Sequence, residues 1–384
     1  METKKYYKEL CFRPIKLQKN RVWRTYTGGK LLEEWQGECQ SSDGSFPEEW
    51  VASITKAKNV GRESIANEGL SFIDLGGQEK ITLKEVIETN PKAFLGKRHT
   101  EVYGSKLAVL VKVLDASERL TIQTHPEKNT AKRLFQSEFG KTEAWMILGG
   151  RKVNDCDPYL LMGFKPGITK EKWRQLFEEQ DIDGMIASLH QVPLKKDDVF
   201  LIEGGVPHAI GEGCFIIEIQ EPTDLTLRVE KTTPNGMGIP DLACHQGLGF
   251  DNMMDCFCYD SYSYEEMINR SKILPKTIQE GKGGHEIELI GTSSTDRFKM
   301  NRIEVKGVFE RQRSESFFIV IVVKGHGKLQ WSDQEIAIHQ SDQIFIPASV
   351  ERTVWENLGY TELTVVLCFP PDVEANSGNC QENL

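Results

Sequence analysis

Leu120-Thr121-Ile122-Gln123-Thr124-His125-Pro126 decides how this chain is read. Apolar and polar side chains alternate through it and a proline ends it, as in a strand with one buried face. Side chains two apart on a strand point the same way, so the Gln123 amide and the His125 imidazole can reach one ion. Upstream, KLAVLVKVLDA (Lys106 to Ala116) is a second strand, joined to ERLTIQTH by a turn at Asp115-Ala116-Ser117. Downstream, EAWMILGG, DVFLIEGG and CFIIEIQEP are further strands, each closed by Gly or Pro.

Between these strands the periodicity changes. Residues Pro126 to Phe139 and Thr169 to His190 carry helical spacing, with Trp173, Leu176, Phe177, Ile182, Met185 and Ile186 on one stripe. They are expected to be helices packed against one side of a barrel, and the stretch from Asp251 to Arg270 carries no decided pattern. After EGKGGHE the chain is purely β: FKMNRIEV, SFFIVIVVKGHGKLQW, QEIAIHQSDQIFIP and ELTVVLCF. The expected division is a domain over residues 1–270, with a helical insertion at about 126–195, and a second β domain over residues 271–384. The final PPDVEANSGNCQENL is polar and expected to fray.

With 384 residues, 39% of them hydrophobic, the chain can bury a core without staples. A net charge of -10 argues against nucleic acid or an anionic membrane as partner, since both call for clustered Lys and Arg. No apolar run reaches the roughly 18 residues of a membrane span. The amino terminus lacks the apolar segment of a signal peptide. Nine cysteines, an odd number without CxxC pairs, read as reduced thiols in a cytoplasmic protein.

Glu143 opens the strand EAWMILGG, and His208 follows the turn EGGVP. With Gln123 and His125 they make a set of two imidazoles, one carboxylate and one amide oxygen. That set suits Zn2+, with iron, cobalt or manganese as alternatives. Cupin barrels carry HxH, then Glu, then Gly, and later a Gly three residues before a His. Gln123-x-His125, Glu143, Gly150 and Gly205-x-x-His208 fall in that order.

The chain resembles the type I phosphomannose isomerases. LTIQTHP matches the family's LSIQVHP, Lys141-Thr142-Glu143 its K-x-E element, GVPHAIG its GxxHAIG, and EIQEPTDLTLRV its ExQ..SDxTxRV. The likeness runs from about Pro14 to Leu248. It departs at the amino end, where FPEEWVAS stands for GECWxIS or AExW; there Glu49 and Trp50 align but Gly and Cys are missing.

The resemblance implies a mainly β protein with inserted helices, built of cupin (jelly-roll) barrels, one metal-binding and one degenerate. Gln123, His125, Glu143 and His208 match the family's zinc ligands, one ion per chain, and Lys141, Asp224 and Arg228 its catalytic residues. Asp224, Thr226 and Arg228 would share one strand face, placing an acid and a guanidinium in one cavity. The implied reaction is metal-dependent aldose–ketose isomerisation of D-mannose 6-phosphate and D-fructose 6-phosphate through a cis-enediol. Lys141 and Asp224 are alternative proton carriers, and Lys231, Lys97 and Arg98 are candidates for the phosphate clamp. Competing readings are a non-catalytic sugar-phosphate-binding cupin and an isomerase of a related sugar. The partner expected is a small sugar phosphate, with no nucleic acid or membrane; oligomeric state is left open. The second barrel offers only His326, in a turn, and Thr353, where a His ligand would stand.

Overall fold

A computed structural model describes residues 2–77, 80–311 and 315–373. The polar carboxy-terminal tail, for which fraying was expected, lies outside the described residues from 374 on. The chain is mainly β, with helices inserted among the strands of two cupin barrels.

The first barrel pairs two antiparallel sheets. One runs Lys272–Ile273, Val199–Ile202, Glu143–Gly150, Cys214–Gln220, Leu110–Asp115, Glu48–Val51, Arg21–Val22. The facing sheet runs Leu227–Arg228, Gln123–Thr124, His208–Ile210, Tyr159–Phe164, Leu189–Pro193. The second barrel repeats the plan with Gln343–Ile346, Phe318–Lys324, Leu363–Phe369, Lys299–Val305, Gly284–Ile290 and Lys276–Gly281 facing Val308–Arg311, Thr353–Asn357, His326–Trp331 and Gln334–His339. Ile15–Lys16 adds to the edge of this second barrel, Ile15 opposite Phe345.

Burial explains why the strand Leu110–Asp115 is almost wholly apolar: it is covered on both sides. Val111 and Val113 turn outward with Met146, Leu201, Ile217 and Ile219 into a core shared with Ile319, Ile321, Phe345 and Val366 of the second barrel. On the inward side Leu114, Ile147, Ile216 and Phe200 close one end of the first barrel. Lys112, Glu143 and Glu218, two or more residues further along the same faces, make its other end polar and buried. The second barrel's interior, by contrast, is filled with Val305, Phe318, Val320, Leu329, Trp331, Ile338 and Trp355. Thr353 is buried there and accepts from Trp355 Nε1, while His326 is exposed opposite His339.

The helices lie where the apolar stripe directs them. Lys170–Glu179 is capped by Thr169 and buries Trp173, Leu176 and Phe177 against Ile122, Leu161, Ala209 and Leu227 on the outer face of the five-stranded sheet. The undecided stretch after Asp251 forms Gly249–Met254 and Tyr264–Ser271, the latter opened by a Ser263–Glu266 capping box. Two expectations change. His190 lies in the strand Leu189–Pro193 rather than a helix, because helix Ile182–Ala187 ends first. ERLTIQTH narrows to the two-residue strand Gln123–Thr124, because the Ile122 amide donates to the Glu230 carboxylate instead of to a neighbouring strand.

Phe345 is fully buried at the junction of the barrels, stacked 5.3 Å from Phe317. Phe345→Ala is expected to cost about 3–5 kcal/mol of stability, as large aromatic truncations in packed cores do. Chemical denaturation measures it, and a loss below about 1 kcal/mol would contradict a core shared between the barrels.

Candidate metal centre and cavity

Strand register assembles the centre. Gln123 stands opposite His208 on one side and opposite Arg228 on the other, so Arg228, Gln123 and His208 form one transverse row on one face. His125, two residues past Gln123, joins that face, and Glu143 enters from the facing sheet. The ligating atoms of His125, Glu143 and His208 lie within 4.8 Å of one another, all buried. Among the described residues this is the one such group of His, Cys, Asp and Glu.

The protonation pattern fits a cation. His125 Nδ1 sits 2.8 Å from the Leu225 carbonyl and His208 Nδ1 2.9 Å from the Val206 carbonyl. A ring that donates from Nδ1 leaves a lone pair on Nε2, and both Nε2 atoms face the same carboxylate, at 3.2 and 3.3 Å. Burial first, then the charge of Lys141, pushes His125 down to about 3, so its ring is neutral at ordinary pH. Burial opposes ionisation of Glu143, but the positive charge of Lys141 counters it, and the carboxyl is held well below the usual range. Glu143 Oε2 is buried and makes no hydrogen bond. Ligand atoms of two imidazoles and a carboxylate crowded together in a buried site call for a positive charge between them. Lys141 Nζ meets part of that demand, 2.9 Å from His125 Nε2 and 3.2 Å from Glu143 Oε2. The Gln123 amide nitrogen lies 3.4 Å from His208 Nε2, and a half-turn of that amide presents its oxygen at the same place.

Beside this cluster opens a polar cavity whose lining includes Arg24, Glu48, Lys112, Lys141, Glu218 and Arg228. Arg228 donates to the carbonyls of Ala243 at 3.0 Å and Thr226 at 3.4 Å, and burial lowers its pKa from the ordinary arginine value. Asp224 also lines the cavity, with both carboxylate oxygens engaged by Arg24.

Four of these groups escaped the sequence reading. Lys112 and Glu218 are cross-strand partners joined at 2.7 Å. Glu48 accepts from Tyr26 Oη, Trp50 Nε1 and Arg24 Nε at 2.9, 2.7 and 2.9 Å. A signal existed: Lys112 in VLVKVLD and Glu218 in CFIIEIQ are single charges inside apolar strands, tolerable only where a cavity or a partner awaits. The amino-end alignment is corrected by one residue. Glu48, two before Trp50, lines the cavity, whereas Glu49 bonds the Asn20 amide and Gln36 on the other face. The suggested phosphate clamps are also displaced. Lys231 pairs with Asp241 and Arg98 with Glu315, and neither they nor Lys97 line the cavity.

A two-sheet barrel with buried imidazoles and a carboxylate converging inside it defines a cupin with a candidate metal centre. Residues 43–142 match the type I phosphomannose isomerase catalytic domain, and residues 292–356 match the mannose-6-phosphate isomerase cupin domain. Over these two segments the chain is similar to the type I phosphomannose isomerases. It is 25% identical over 357 residues to mannose-6-phosphate isomerase of Streptococcus mutans, covering 91% of this chain and 96% of that protein. Mannose-6-phosphate isomerase ManA of Bacillus subtilis is 31% identical over 161 residues, 42% of this chain and 47% of that protein. A crystal structure of the mannose 6-phosphate isomerase from Bacillus subtilis shares the fold, with TM-score 0.71 and 21% identity over 92% of this chain and 99% of that one.

Proposed function

We propose that this chain is an aldose–ketose isomerase interconverting D-mannose 6-phosphate and D-fructose 6-phosphate through a cis-enediol. The observation that carries the reading is the buried convergence of His125, Glu143 and His208, next to Gln123 and Lys141, which line a cavity of opposed buried charges. In this reading Gln123, His125, Glu143 and His208 hold one zinc ion, a choice supported by a buried set of two imidazoles, a carboxylate and an amide without thiolates. When bound, the ion supplies a Lewis acid for the sugar carbonyl and the enediolate oxygen.

The chain's own residues do the rest. Arg228, in the same transverse row as Gln123, directs a second positive charge at the developing oxyanion. Lys141 Nζ or the Asp224 carboxyl moves the proton between C2 and C1, and both line the cavity. Lys112, Glu218 and Glu48 present the hydrogen-bonding groups that a polyhydroxylated chain replaces water with. The catalytic part is residues 1–270 together with the edge strand Lys272–Ile273, the cupin-like remainder follows with Ile15–Lys16 added to its edge, and the protein works in the cytoplasm on a small sugar phosphate. No helix among the described residues is long and apolar enough to cross a membrane.

The test is formation of fructose 6-phosphate from mannose 6-phosphate by the full chain loaded with zinc. Turnover that a chelator abolishes and added zinc restores is the expected result. Binding of mannose 6-phosphate without turnover in metal-loaded protein would favour the non-catalytic sugar-phosphate binder instead.

A further inference from the structure

Arg24 is among the most fully engaged side chains of the first barrel, and neither motif nor spacing marks it. It is 7% exposed, its guanidinium stacked 4.9 Å above the Trp50 ring. Nε donates to Glu48 at 2.9 Å, Nη1 to Asp224 Oδ2 and Asn59 Oδ1 at 3.1 Å each, and Nη2 to Asp224 Oδ1 at 3.2 Å. Asp224 accepts a third N–H, from the Lys58 amide, at 2.8 Å. One buried fork therefore ties together the amino-terminal segment, the Lys58–Asn59 loop and the run from Asp224 to Arg228. The carbonyl of Leu225, next to Asp224, is the group that accepts His125 Nδ1.

Building on the isomerase reading above, we propose that Arg24 is a positioning residue. It clamps Asp224 as a fixed anion that sets the Leu225 carbonyl and Arg228, so Asp224 anchors the site and does not carry the proton. A carboxylate bound bidentately by a buried guanidinium and also by a backbone amide must break charge-assisted bonds to accept a proton. The electrostatics agree. Burial alone would raise the Asp224 pKa, but Arg24 first, then Lys112, the Lys58 amide and Lys141, hold it below the ordinary carboxylate range. The other charges in this surrounding are Arg228 and, through the guanidinium, Glu48.

The experiment is a double-mutant cycle on metal-loaded full chain: Arg24→Gln, Asp224→Asn, both together, and Arg24→Lys. Arg24→Gln leaves a buried carboxylate without its cation, so its pKa rises, and turnover is expected to fall by roughly tenfold or more. Its kcat/KM profile should gain an acid limb, activity dropping as pH falls, that the unsubstituted chain lacks. The doubly substituted chain should turn over faster than Arg24→Gln and lose that limb, and Arg24→Lys should fall between. A profile for Arg24→Gln parallel to that of the unsubstituted chain, or a double variant no faster than the single, would reduce Arg24 to scaffolding. A limb already present in the unsubstituted chain and removed by Asp224→Asn, with turnover down by about a thousandfold, would make Asp224 the proton carrier. The same cycle on thermal midpoints needs no turnover: Arg24→Gln should melt below the double variant, and additive midpoints would overturn the clamp. An unsubstituted chain that is inactive but shows this coupling would refute the isomerase reading and leave the clamp standing.

Discussion

Changing His125 and His208 together to alanine is expected to empty the metal centre and to cut turnover by about a thousandfold or more. Both imidazoles present Nε2 to Glu143, and both rings are oriented from behind by a backbone carbonyl. With both gone, one carboxylate and one amide remain, too few donors for a borderline divalent ion in a dry site. Elemental analysis of the folded variant should therefore fall from about one ion per chain to background. Lys141 should then pair with Glu143 without competition, so the variant is expected to fold. Metal retained at full occupancy would mean that the ion sits elsewhere, and it would remove the cluster from the proposed chemistry.

Arg228→Ala separates charge stabilisation from metal binding. Arg228 sits beside Gln123 in register and donates to the carbonyls of Thr226 and Ala243, not to any of the converging ligand atoms. Metal content is thus expected to stay intact while turnover drops about a hundredfold, on the order of 3 kcal/mol in the barrier. If Arg228 only holds the Ala243 carbonyl, the melting temperature should fall and turnover per folded molecule should stay near that of the unsubstituted chain. Metal content, melting temperature and rate measured on one preparation distinguish these outcomes. Full activity in folded, metal-loaded Arg228→Ala would take Arg228 out of the mechanism.

Arg228 and Arg24 illustrate two kinds of legibility. Arg228 stands in a motif, TLRV, and its place beside Gln123 follows once the two short strands pair. Arg24 stands in RVWRTYTGG, which has no periodic pattern, and its partner Asp224 is 200 residues away. Nothing local distinguishes a buried fork from a solvated surface arginine there.

By itself the sequence determined what depends on short-range geometry. Strand parity puts Gln123 and His125 on one face, whatever the rest of the chain does. Glycine and proline punctuation separates the strands, and the apolar stripe of Lys170–Glu179 identifies the helix that covers the five-stranded sheet. Tertiary structure alone decided which face of each strand meets the cavity. Leu110–Asp115 and Cys214–Gln220 are buried on both sides, so alternation cannot say whether Lys112 or Val111 looks inward. The same holds for Glu48 against Glu49 in a strand buried throughout. The answer comes from pairing: the register that sets Glu218 opposite Lys112 also turns Val113 and Ile217 toward the second barrel. Long-range partner choice cancels buried charge against buried charge, and that balance exists only once the chain has closed on itself.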